Sequence, residues 1–188
     1  MSELKPKQPY HEIRRKDRAK DDAWIQKFLD RASYGVLATV SEEQPFNSTN
    51  LFVYDPAVQA IYLHTAIEGR ARSNIEANSQ VCFSASEMGR LLPADTAMEF
   101  GVEYSGVVIF GQAYVVEDAG EAERALQALL DKYFPHLHPG EDYRGIIPEE
   151  LAITTVIRID IQSWSGKQEQ APADFPGAFL YSPGPDAE

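Results

Sequence analysis

The chain has a single cysteine, Cys82 in QVCFSAS, so no internal disulfide can form, and a buried structural thiol in a reducing, intracellular setting is the natural reading. No stretch approaches the roughly 18 apolar residues of a membrane span. The lysines and arginines near the N-terminus are followed by no apolar run before Trp24, which argues against a secretory signal. Basic charge is also scarce. Across 188 residues, 17 Lys and Arg face 29 Asp and Glu, and the net charge of −12 opposes non-specific binding to nucleic acid or an anionic membrane. A Rossmann glycine fingerprint is missing, so a nicotinamide has no dedicated binding fold here, and there are no internal repeats. These absences leave a soluble, cytoplasmic, single-domain protein whose ligand is a small molecule, and any anionic ligand needs a local basic pocket.

What is present is mostly strand. Residues 1–20 are polar and charged and read as an extended N-terminal arm. In DDAWIQKFLDRA, Trp24, Ile25, Phe28 and Leu29 recur at helical spacing behind an aspartate start. Tyr34 to Val40 reads as a buried strand, SEEQPF as a turn, NSTNLFVYDP as a second strand ending at Asp55-Pro56, and AIYLHTA as a third. Short connections favour an antiparallel meander. QVCFSASEM gives a fourth strand, and Tyr104 to Glu117 a fifth that Gly111 interrupts, as a bulge at a barrel corner would. Asp118 and Glu121 have capping-box spacing before a helix whose stripe runs from Ala122 to Tyr133. A loop from Pro135, a short helix from Pro148 and a last strand, TTVIRIDIQSWSG, complete the domain at about residue 168. The tail, residues 169–188, is acidic and rich in proline, with too little patterned apolar surface to fold alone. Six antiparallel strands with flanking helices predict a mainly β fold, a closed or nearly closed barrel.

The most informative stretch is Ile61 to Ile75, IYLHTAIEGRARSNI, where a strand pattern breaks at Gly69 and restarts with Arg70 and Arg72 in helical sequence. A helix start offers unpaired N–H groups and a positive dipole end, and the arginines add forked charge, so the segment suits a phosphate. The plainer alternative is a surface turn with solvated arginines.

The order of these motifs resembles the flavin-nucleotide-binding split-barrel family related to pyridoxamine 5′-phosphate oxidase, in particular its nitroimidazole-resistance-type branch. The residues behind the resemblance are RRKDR (Arg14 to Arg18), YGVLATV (Tyr34 to Val40), NLFVYD (Asn50 to Asp55), IYLHTAIEGR (Ile61 to Arg70), NIEANSQVCF (Asn74 to Phe83), YSGVVIFGQA (Tyr104 to Ala113) and VIRIDIQSWSGK (Val156 to Lys167). The resemblance implies a six-stranded split barrel over residues 21–168 and a homodimer with FMN at the subunit interface. Asn50, Leu51 and Phe52 would line the flavin ring, and His64, Thr65, Ala66, Arg70 and Arg72 would surround ribityl and phosphate. Trp164 and Lys167, near the end of the last strand, would complete the cofactor site, Trp164 by stacking on the partner's flavin, with core or interface packing as the commoner role of a strand-end tryptophan. Two departures stand out: the family usually has lysine where this chain has Ala71, and often serine where it has Gly106.

The implied activity is an FMN-dependent oxidoreductase acting on nitroaromatic or quinone-like compounds, with reduced nicotinamide as donor. No catalytic side chain is assigned, since the flavin carries the electron chemistry. The rivals are a flavin- or haem-binding barrel without turnover, and a deazaflavin-dependent reductase. His64 reads equally as a cofactor-side residue and as a plain strand histidine. His136 and His138 have no cysteine or third histidine close by, so no metal site is assigned.

Overall fold

Among the described residues, nine strands join one antiparallel sheet whose main path runs Gln44–Asn50, Gly35–Ser41, Gln80–Leu92, Gly101–Val115, Thr154–Glu169, Ala60–Ala66 and Val53–Asp55, and the two strands at its ends are consecutive in the chain yet unbonded to each other. The barrel is therefore split between them. The computed structural model describes residues 12–182, and the strands are β1 (Ala19–Lys20), β2 (Gly35–Ser41), β3 (Gln44–Asn50), β4 (Val53–Asp55), β5 (Ala60–Ala66), β6 (Gln80–Leu92), β7 (Gly101–Val115), β8 (Thr154–Glu169) and β9 (Phe179–Leu180). The helices are α1 (Asp22–Arg31), α2 (Arg70–Ala77), α3 (Ala119–Tyr133) and α4 (Pro148–Leu151). None of them is long and apolar enough to cross a membrane.

The predicted second strand is in fact two. Gln44 to Asn50, whose first three residues were expected in a turn, pairs with β2 along its whole length, from Ser41↔Gln44 to Gly35↔Asn50. The turn itself is only Glu42 and Glu43, both at positive φ (50° and 63°), the backbone of a two-residue hairpin. The ladder then stops at Leu51 and Phe52 and resumes as β4 against β5.

Inside the barrel, Leu37, Ile61, Leu63, Phe83, Ile109, Ile157 and Ile159 are essentially inaccessible, and Ile25, Phe28 and Leu29 of α1 close over them. Each such side chain contributes about 1.5–3 kcal/mol of burial. Helix α1 starts on Asp21, whose carboxylate accepts the Trp24 N–H at 2.8 Å, and Trp24 stacks on Phe28 with centroids 5.2 Å apart. On the outer face, α3 buries Ala122, Ala125 and Leu129, with Ala122 and Ala125 against Ala60, Tyr62 and Val156. Its start is capped as expected: the Asp118 carboxylate accepts the Glu121 N–H at 2.7 Å.

Gly111 marks the expected bulge, where the β7–β8 register shifts between Phe110 and Gly111. A Cβ at Gly111 would stand 2.1 Å from the Asp160 carbonyl oxygen, so the two strands approach too closely there for any side chain.

The described parts of both flanking segments engage the sheet. Of the N-terminal arm, residues 1–11 lie outside the described residues, and Ala19 and Lys20 pair with Lys167 and Gly166. The described part of the tail also meets the sheet. Arg90 donates to the carbonyls of Ala171, Pro172 and Ala173, and Phe179 and Leu180 pair with Leu91 and Arg90. Residues 183–188 lie outside the described residues.

Candidate functional site

Strand β5 carries the chain from the barrel core to the start of α2. Ile61 and Leu63 point inward, so Tyr62 and His64 face out toward α3. The Tyr62 hydroxyl donates to Glu121 at 2.6 Å, and Arg158, its cross-strand partner, donates to Glu121 at 2.9 Å and to Asp160 at 2.7 Å. Burial, together with the bond to Glu121, pushes the Tyr62 phenol up, while the bonds from Tyr62 and Arg158 hold the Glu121 carboxyl below the usual range. Tyr62, Glu121 and Arg158 thus lock α3 to the sheet.

The His64 imidazole, one outward step on, makes no hydrogen bond among the described residues, while its backbone lies in the ladder opposite Val156. It borders a recess of about 230 Å³ lined mainly by Leu126, Leu129, Leu130 and Ile146, with Glu150 and Thr154 at its polar side. Thr65 and Ala66 finish the strand opposite Thr155 and Thr154.

Helix α2 begins at Gly69 with no side-chain cap, and its first internal bond runs from the Ser73 N–H to the Gly69 carbonyl at 3.1 Å. The N–H groups of its first turn are therefore open at the positive end of the helix. Asn74 and Ile75, both buried, seat the helix on the sheet, with Asn74 donating to the Thr39 hydroxyl at 2.9 Å.

The two arginines differ sharply. Arg70 is exposed, lies 5.9 Å from the Phe46 ring centroid on β3, and has no ion pair among the described residues. Arg72 is engaged through two of its three nitrogens: Nε donates to Glu76 at 2.8 Å, and Nη1 to the Ile67 carbonyl at 2.8 Å and to the Thr155 hydroxyl at 3.2 Å. It pins the β5–α2 turn to β8. Thus Arg70 is free to meet an anion, whereas Arg72 already has three partners.

The residues expected along the flavin ring sit where the sheet is split. Asn50 ends β3, its amide folded back on Ser48, and Leu51 is 45% exposed. Phe52 turns into the core, edge-on to Phe83 with centroids 4.9 Å apart. Arg70 and Leu51 thus stand toward opposite ends of the exposed edge strand β3, between Phe46 and Asn50.

Trp164 and Lys167 are not gathered here. Trp164 lies opposite Ile109, nine residues along β8 from Thr155, roughly 30 Å at strand rise. It packs on Tyr54 and donates to Asp22 at 2.8 Å, tying α1 to the sheet. Lys167 lies opposite Gly106, with its ammonium 5.1 Å from the Tyr104 ring centroid. Within one chain, both are remote from α2. Among the described residues, no group of three His, Cys, Asp or Glu side chains is placed to hold a metal.

The local sequence does not point to three neighbours of the site. Phe46 lies under Arg70, Thr155 meets Arg72, and Tyr133 meets Phe52. Tyr133 was legible only as part of the α3 stripe. Its partner lies 81 positions away, beyond the reach of any spacing argument.

The profile of a family described as pyridoxamine 5′-phosphate oxidase matches residues 21–168. No curated protein matches. Among solved structures, the flavocytochrome Anf3 from Azotobacter vinelandii is similar at 21% identity, with 86% of this chain and 74% of that one covered and a TM-score of 0.73. An FAD- and haem-binding protein from Mycobacterium smegmatis aligns at 18% identity over 82% and 74%, also with a TM-score of 0.73. A candidate 5-nitroimidazole antibiotic resistance protein from Bacteroides thetaiotaomicron aligns at 18% identity over 79% and 84%, with a TM-score of 0.65. At these identities the likeness is one of fold.

Proposed function

The chain belongs to the pyridoxamine 5′-phosphate oxidase family, and from that premise we propose that it is a flavoprotein that holds FMN between the start of α2 and the split edge of its barrel. The observation that carries this reading is the uncapped start of α2 beside an unpaired Arg70. Open N–H donors and a free guanidinium suit a phosphate dianion, and an uncharged metabolite would leave both without a partner. The residues present fit the group: Arg70 and the first-turn amides would hold the phosphate, and Leu51 with the backbone of Asn50 would meet the ring. Arg72 supports the site from behind by fixing the turn.

Bound FMN would supply hydride or electron transfer, which suits a reductase of small nitroaromatic or quinone-like compounds. The chain's own part is to bind and orient. Its exposed apolar side chains Tyr34, Val40, Leu51 and Val108 suit burial against a second copy, which would also bring the otherwise distant Trp164 and Lys167 to a shared site. The half-buried Cys82 thiol, pushed up by burial, suits the reducing cytoplasm.

Selective ligand binding tests the reading. Arg70→Ala should weaken FMN at least tenfold and leave riboflavin nearly unchanged, because a hydrogen bond to a charged group contributes about 1.5–3 kcal/mol and riboflavin has no phosphate. Equal losses for both ligands would show that Arg70 serves the ring or the fold.

One observation favours a second reading. His64 is exposed, its imidazole without a hydrogen bond among the described residues, beside an apolar recess, as a haem-binding histidine would be, and two structurally similar proteins are described as a flavocytochrome and as FAD- and haem-binding. A Soret band in purified protein that disappears in His64→Ala would establish it.

A further inference from the structure

The chain crosses the split in the barrel through Leu51 and Phe52, which lie between the end of the β3 ladder and the start of the β4 ladder. Phe52 is fully buried, so its backbone N–H and carbonyl need protein partners. Both find the same atom. The Tyr133 hydroxyl accepts the Phe52 N–H at 3.1 Å and donates to the Phe52 carbonyl at 3.1 Å. In an antiparallel ladder, a residue exchanges this same pair of bonds with one residue of the next strand. Tyr133 therefore replaces a strand that is absent at the split.

The preceding side chain reinforces the hold. The Lys132 ammonium lies 3.8 Å from the Phe52 ring centroid and donates to the Leu29 carbonyl at 2.9 Å, in the last turn of α1. The final turn of α3 thus grips the crossing by its backbone and its ring, and fastens it to the C-terminal end of α1. With the Phe52 side chain fixed inward, strand alternation turns Leu51 outward, where it is 45% exposed.

We propose that Tyr133 is a positioning residue for the flavin ring: through the backbone of Phe52 it sets the direction of Leu51 at the cofactor site. This rests on the FMN reading above. It assigns the ring end of the site to α3, as Arg70 assigns the phosphate end to α2. Loss of the hydroxyl should loosen the ring contact and leave the phosphate contact intact.

The experiment compares Tyr133→Phe with wild type for FMN and riboflavin binding, by flavin fluorescence and visible absorbance. Both affinities should fall by the same factor, about fivefold or more, and the absorption band of bound flavin should shift, since the ring is what moves. Tyr62→Phe also removes a hydroxyl at α3, but on the far side of β5 from the barrel interior, and controls for stability alone. It should lower the melting temperature while leaving flavin affinity and spectrum unchanged. If Tyr133→Phe binds both flavins like wild type with the same spectrum, or loses only FMN as Arg70→Ala should, the proposal is overturned. Should the variant not fold, hydrogen exchange in wild type decides: the Phe52 amide should be as protected as those of β5, and exchange at loop rates would overturn the proposal. Failure of the underlying reading looks different. In that case wild type itself binds neither flavin, and this proposal falls with it.

Discussion

Replacing Arg72 separates its role from that of Arg70, two positions away. In Arg72→Ala, three bonds disappear together: those to Glu76, to the Ile67 carbonyl and to the Thr155 hydroxyl. The Glu76 pair is an i,i+4 contact with side-chain exposures of 29% and 56%, so it contributes about 0.3–0.5 kcal/mol. The two bonds that hold the turn to β8 contribute about 1 kcal/mol each at this partial burial. The sum is about 2 kcal/mol, or a fall in melting temperature of about 4–8 °C for a chain of this length. Because these contacts are internal, FMN and riboflavin affinities should change together and by less than about threefold. Arg72→Lys should recover little, since an ammonium cannot fork between a carboxylate and a carbonyl as guanidinium does. Differential scanning fluorimetry with both flavin titrations measures all of this. A tenfold loss of FMN affinity alone, with an unchanged melting temperature, would refute the reasoning and make Arg72 the phosphate ligand.

Two further expectations concern the frame of the site. Gly111→Ala should cost about 1–3 kcal/mol or more, because its Cβ would meet the Asp160 carbonyl at 2.1 Å, whereas Gly106→Ser, whose nearest neighbour is 3.6 Å away, should be nearly neutral; equal melting temperatures would contradict the bulge argument. Lys132 tests the clamp by pH. Burial pushes it down to about 8 from 10.5, against the pull of Asp30, so the unfolded chain holds more protons between those values and stability should rise as pH increases through that window. After discounting for partial exposure, the gain is on the order of 1 kcal/mol, and it should vanish in Lys132→Met; denaturant midpoints at pH 7.5 and 10 that differ equally in both proteins would contradict this.

Much of the barrel was readable from local pattern. Strand β2, with one buried face, alternates visibly, β5 reads as a run of strand formers buried on both faces over Ala60 to Leu63, and Gly111 announced its bulge. Strand β3 did not, because Gln44 to Asn50 is a polar edge strand with no buried residue, and its hairpin turn is Glu42-Glu43 rather than a glycine pair. The break at Leu51 and Phe52 was equally hidden: both are good strand residues, and what ends the ladder is a hydroxyl 81 positions away. The tail docks through carbonyl groups on Arg90, which carry no side-chain signature. At the proposed site, the break of the strand at Gly69 and the arginine pair at the start of the helix were legible. Which arginine remains free was not, because that depends on Thr155 and the Ile67 carbonyl closing around Arg72.

The central claim is that this barrel holds FMN, and denaturing release of the cofactor from purified protein tests it most directly. After incubation with excess FMN and removal of the unbound fraction, chromatography of the released material should give FMN at about one per 21.0 kDa chain. A protein that retains only haem, or no flavin after the same treatment, would contradict the account.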